Sequence, residues 1–194
     1  MAARELAVRP YQEGRTFLPE ENLLIVAVDT PNTAIRDQAR QQIRQVLREI
    51  LAPLLACSPE DVPLIIEPGQ APRLAKKPAM GLSISHEPGL SLLAINFAGA
   101  VGIDLMHLPE NPEWQSEIDV LAHDYLGCVI SGISPAARQQ NFAEAWTRHE
   151  ATLKCMGLGL EEFNPDLQTK MAGYQTHRLQ VKPGFIASLA IRKP

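Results

Sequence analysis

The sequence predicts an α+β fold, and three observations carry that prediction. A short apolar run is followed by a helix with a single apolar face. Two strand-like stretches each fold back at a Pro-Gly turn, and one long helix between them is marked at both ends. The order strand, helix, strands, helix, strands fits helices laid over sheets and suits two similar lobes that each carry a helix over a sheet. The segment PGQAPRLAKKPAMG, rich in proline and glycine, is the expected boundary, dividing an N-terminal lobe of residues 1–80 from a C-terminal lobe of residues 81–194.

Leu23 to Val28 (LLIVAV) is a continuous apolar run of the length of a buried strand. Thr30 and Pro31 mark a helix start. Ile35, Ala39, Ile43, Leu47 and Leu51 then recur every four residues, giving one apolar face to a helix that Pro53 should end or kink. Pro63 to Glu67 (PLIIE) reads as a second short strand. Gly81 to Ser85, the turn Glu87-Pro88-Gly89 and Leu90 to Phe97 read as a hairpin, and Ala100 to Leu105 (AVGIDL) as a further strand. The clearest helix runs from about Pro135 to Met156, with Ser134 as N-cap, Pro135 at the first helical position and Gly157 just past the end. Tyr174 to Val181, the turn Lys182-Pro183-Gly184 and Phe185 to Ile191 make a second hairpin.

The chain has 194 residues, 45% of them hydrophobic and 21% charged, which places it among ordinary globular proteins. A net charge of −4 argues against a general nucleic-acid binder, since phosphate neutralisation needs an excess of Lys and Arg. Cys57, Cys128 and Cys155 are scattered and form no CxxC pair, so neither a disulfide framework nor a zinc site is indicated, and they read as reduced thiols. The N-terminal stretch has no apolar signal core and no later run reaches the length of a membrane span, so a soluble cytoplasmic protein is expected, with no membrane partner.

Three features bear chemistry: Ser85-His86 at a strand end, Asp104 in VGIDLM, and WTRHEATLK from Trp146 to Lys154. Trp146, Glu150 and Lys154 are four apart and share one helix face, which sets a carboxylate beside an ammonium. A strand ending in an acid together with such a pair suits a hard cation and a polyphosphate. The same spacings also fit plainer roles: a surface ion pair between Glu150 and Lys154, an Asp that ends a strand, and a turn histidine at His86. HEATL at residues 149–153 lacks the second histidine of the zinc-protease pattern HExxH, and Leu153 cannot ligate a metal.

In their order and spacing, SISHEPGLSLLAI, AVGIDLM and FAEAWTRHEATLKCMGLGL resemble the three motifs of the phosphopantetheinyl transferase superfamily. The likeness is greatest to the large, surfactin-synthetase-activating type, whose motifs read approximately SHS, (V/I)G(V/I)D(I/V)E and W(S/T)xKE(A/S)xxK. The resemblance implies two similar α/β lobes with the active site in the cleft between them. It implies that Asp104 and Glu150 hold magnesium, that Lys154 acts beside them, and that Ser85 and His86 contact phosphate of coenzyme A. Arg40 falls near a family arginine with a similar task. Arg73 lies near a family lysine position that Ala71 occupies here, which makes it a conjectural replacement. Two departures stand out: Met106 where the large type often has a third acid, and His149 where the family commonly has lysine. The first bears on metal affinity, the second on phosphate contacts and pH response.

The implied activity is transfer of the 4′-phosphopantetheine group from coenzyme A to a serine of an acyl- or peptidyl-carrier protein, releasing adenosine 3′,5′-bisphosphate. A fatty-acid, polyketide or peptide-synthetase carrier would serve, and a monomer suffices for a complete cleft. A magnesium-dependent nucleotide or pyrophosphate hydrolase, or a non-catalytic coenzyme A-binding paralogue, would use the same residues differently. Arg36, Arg40, Arg44 and Arg48 form a basic stripe on the first helix. It fits a solvated face, and also fits contact with the 3′-phosphate of the coenzyme or with an acidic carrier helix.

Overall fold

The computed structural model describes residues 5–14, 17, 22–31, 36–67, 70–75, 77, 79–108, 114–132 and 134–194. The elements in chain order are β1 (Leu6–Ala7), β2 (Arg9–Pro10), β3 (Leu23–Val28), α1 (Arg36–Leu55), β4 (Leu64–Ile65), β5 (Arg73–Leu74), β6 (Gly81–Glu87), β7 (Leu90–Asn96), β8 (Val101–His107), α2 (Trp114–Leu121), α3 (Pro135–Met156), α4 (Pro165–Met171), β9 (Tyr174–Gln180) and β10 (Phe185–Arg192). The mixed α+β class is as expected, and so are both hairpins. Ile35 of the expected helix face, the side chain of Arg36 and parts of the Pro-rich segment lie outside the described residues.

Two four-stranded sheets form, in the orders β2-β3-β7-β6 and β1-β9-β10-β8. Alternation along the strands builds a core between them. Ile25 of β3, Leu92 and Ala94 of β7, Ile103 and Leu105 of β8, and Leu189 of β10 all face it. On the outer side of the first sheet, Leu24, Val26, Leu93 and Ile95 meet the apolar face of α1 at Ile43, Leu47 and Leu51. On the outer side of the second sheet lies α3, with Ala151 and Cys155 against Ala190. Strands from both sides of residue 80 share the first sheet, since β3 pairs antiparallel with β7 and β7 with β6.

Helix α3 has the ends its sequence announces. The Ser134 hydroxyl accepts from the Ala137 amide at 3.2 Å, and Gly157 closes the helix at φ +73°. Pro53 neither ends nor replaces the last turn of α1, which runs on to Leu55. So near a C-terminus, proline forfeits a single backbone bond. The chain then leaves the helix through Ala56 at φ +52°, and the Cys57 amide returns to the Ala52 carbonyl. The strand expected at residues 63–67 shortens to Leu64–Ile65, paired with Arg73–Leu74. Among the described residues no helix is long and apolar enough to cross a membrane.

Candidate functional site

The site begins with the alternation of β8. Val101, Ile103 and Leu105 enter the core between the sheets, which turns Gly102, Asp104 and Met106 toward the side that α3 covers. Gly102 sets how closely the helix lies. A Cβ there would stand 1.9 Å from the Ala151 carbonyl oxygen and 2.5 Å from the Cys155 amide, so only glycine admits the helix backbone at this point. The register is held a second time by the buried pair Thr147 and Ser188, whose hydroxyls are 2.9 Å apart. Ser188 lies directly opposite Asp104 in the β8–β10 ladder.

Asp104 is buried, with 6% of its surface exposed, and its side-chain partners come from two other elements. The Ser85 hydroxyl of β6 donates to Asp104 Oδ1 at 3.0 Å, and Lys154 Nζ of α3 lies 2.6 Å from the same oxygen. Ser85 in turn accepts from the Leu105 amide at 3.2 Å, and Ser83 accepts from the Ile103 amide at 3.0 Å. The serines of the SISH segment thus join β6 to β8 across the seam between the sheets. Ser85 is buried in that seam, and it is His86, the next residue, that lines the open cleft beside it.

That cleft has a volume of about 980 Å³. Arg40 and Arg44 of α1, Arg73 of β5, His86 of β6, and Glu150 and Lys154 of α3 all line it. The sequence-predicted residues therefore converge: Arg40, Arg73 and His86 reach the cleft beside Glu150 and Lys154, while Ser85 and Asp104 sit just behind its wall. Arg73 is exposed and bridges to Glu67 at 3.2 Å. The basic stripe of α1 divides. Arg40 and Arg44 face the cleft, whereas Arg48 turns away to donate to the Val62 carbonyl at 2.8 Å.

Burial raises the pKa of Glu150 above its ordinary carboxylate value, the negative charge of Asp104 adds to the rise, and Lys154 opposes it. Two carboxylates close enough to repel one another are a donor set that a dication would relieve. Magnesium commonly takes one or two protein carboxylates and completes its shell with waters and phosphate oxygens. Asp104 and Glu150 supply that number. Among the described residues no group of three or more His, Cys, Asp or Glu forms a fuller cage.

The two departures from the family pattern fall elsewhere. Met106 packs on an apolar cluster built from Ile118, Phe142 and Trp146 among others. His149 is buried and lines a separate hollow of about 340 Å³ beside Tyr125 and Phe163. Burial lowers its pKa, with the Glu161 backbone opposing. Cys155 is also buried, which pushes its thiol up to about 11.

Sequence reasoning missed Gly102, Ser83 and the Thr147–Ser188 pair. Their signal was present as a glycine and a serine inside otherwise apolar strands, where each needs a close approach or a hydrogen-bond partner to be tolerated.

No protein-family model matches the chain. It is similar to the 4′-phosphopantetheinyl transferase HetI of a Nostoc species, with 28% identity over 134 residues. The match covers 62% of this chain and 55% of that relative, so the chain spans about half the length of the curated protein it matches. The similarity supports the phosphopantetheinyl transferase superfamily and does not extend to the surfactin-synthetase-activating type.

Proposed function

We propose that this protein transfers the 4′-phosphopantetheine group of coenzyme A to a serine of an acyl- or peptidyl-carrier protein, in a magnesium-dependent reaction. The observation that carries the reading is the convergence of Glu150 and Lys154 of α3 on a cleft edged by arginines, with Asp104 of β8 paired to Lys154 just behind its wall, in a chain whose net charge is negative. Local positive charge of this kind suits a polyanionic coenzyme. The similarity to a phosphopantetheinyl transferase favours the same class.

Asp104 and Glu150 would hold magnesium, whose chemistry there is to neutralise charge on the pyrophosphate. Lys154 and the arginines of the cleft balance the remaining phosphate charge. Glu150 or a water held at the site would accept the proton of the carrier serine. The serine oxygen forms a bond to the phosphorus bearing pantetheine, and the phosphoanhydride bond to that phosphorus breaks. The electron pair leaves with adenosine 3′,5′-bisphosphate.

Incubation with coenzyme A, magnesium and a panel of apo carrier proteins, read by intact mass, tests this. A gain of one phosphopantetheine on at least one carrier is expected. Unmodified carriers throughout, with coenzyme A cleaved, would instead identify a hydrolase, and intact coenzyme A would identify a binding paralogue.

A further inference from the structure

A buried carboxylate oxygen must be satisfied, and in Asp104 the oxygen Oδ1 is satisfied twice: by the Ser85 hydroxyl at 3.0 Å and by the Lys154 ammonium at 2.6 Å. The two donors are unequally held. Ser85 is fixed in the seam, because its own oxygen accepts the Leu105 amide at 3.2 Å and it is buried. Lys154 sits on a flexible four-carbon stem, its side chain is 29% exposed, and it lines the cleft. Any cation that approaches Oδ1 from the cleft meets the ammonium first, and the ammonium is the donor that can yield.

We propose that Lys154 is the resident counter-cation of Asp104 in the ligand-free site, so that entry of a divalent cation and release of the lysine into the cleft are one event. The inference rests on the metal pair assigned under the proposed function. Its consequence is that the free protein binds metal more weakly than its two carboxylates alone would allow. A second consequence is that the cation uncovers an ammonium for an anionic ligand only once it has arrived, which couples the two binding events.

The direct test uses the intact protein and magnesium chloride alone. The rate of acylation of Lys154 by acetic anhydride is read by peptide mass, with the exposed Lys77 as internal reference. Saturating magnesium should raise the Lys154 rate several-fold and leave Lys77 unchanged. Calorimetry should find that Lys154→Met binds magnesium several-fold more tightly than the unaltered protein. An acylation rate at Lys154 that ignores magnesium overturns the inference, even if Lys154→Met binds tighter, because loss of any nearby positive charge would tighten binding. Asp104→Asn separates the two levels. If it weakens magnesium binding while Lys154 of the unaltered protein does not respond to magnesium, only the exchange is wrong. If it leaves magnesium affinity unchanged, the metal pair and the exchange fall together.

Discussion

The contact between α3 and β8 has two ends of opposite character. At one end Gly102 brings the helix backbone against the strand, and Asp104, Ser85, Lys154 and Glu150 gather beside the cleft. Two residues further along the same strand face, Met106 meets Phe142, Trp146 and Ile118 in an apolar cluster. Trp146 stacks on Phe142, and Trp114 and Tyr125 meet the pair edge-on. One helix on one strand thus supports buried charge where close approach and hydroxyl groups supply partners, and excludes it where aromatic rings fill the space.

The largest effect should come from the charged end. If Asp104 and Glu150 are the proposed metal pair, Asp104→Asn and Glu150→Gln should each lower transfer by about two orders of magnitude or more, since each would remove a charged oxygen ligand. Circular dichroism should find both variants folded. Near-normal turnover by either one, measured at saturating coenzyme A, would remove that residue from the site.

Gly102→Ala attacks the geometry that separates the ends. Its methyl group collides with the Ala151 carbonyl, so the helix must shift, at a cost of about 1–3 kcal/mol in urea-measured stability. Transfer should fall as well, because Lys154 and Glu150 ride on the displaced helix. Unchanged stability would mean that the approach at residue 102 is looser than the backbone positions require.

Met106→Glu asks whether the apolar end can be made charged. An acid among Phe142, Trp146 and Ile118 should cost about 1–3 kcal/mol near neutral pH, a penalty that shrinks as pH falls and the carboxyl becomes neutral. Undiminished stability together with tighter magnesium binding would show that residue 106 reaches the metal side, and would erase the contrast.

The smallest effects are in pH dependence, and adjacent residues should act in opposite directions. The folded-state pKa of Glu150 is raised, so its contribution is fully present below the ordinary carboxylate pKa and is lost as pH rises through the raised value. His149 has a lowered folded-state pKa, so its contribution is present above about 6.5 and is lost as pH falls below that. Denaturation midpoints across this range should lose the first trend in Glu150→Gln and the second in His149→Gln. Trends that survive both substitutions would assign the pH dependence to other groups.

Much of this was legible in the chain. Apolar runs and Pro-Gly turns marked both hairpins, and Ser134, Pro135 and Gly157 marked the limits of α3 because caps are local chemistry. The residues of the cleft were legible as motifs, but their partners were not. Spacing set Lys154 beside Glu150 on one helix face, whereas its short ion pair runs to Asp104, which is 50 residues distant in sequence. Ser85 joins Asp104 and the Leu105 amide in the seam, contacts fixed by how two sheets meet. The short α2 and α4 carry too few turns for periodicity to declare them.

The proposed transfer needs both an acceptor serine and the Asp104–Glu150 pair. Its most direct test is to quantify adenosine 3′,5′-bisphosphate released from coenzyme A against carrier modified, with and without carrier and in Asp104→Asn. The prediction is release in step with modification, one for one, none without an apo carrier, and almost none in the variant. Release that proceeds equally without carrier, or that is undiminished in Asp104→Asn, would contradict it.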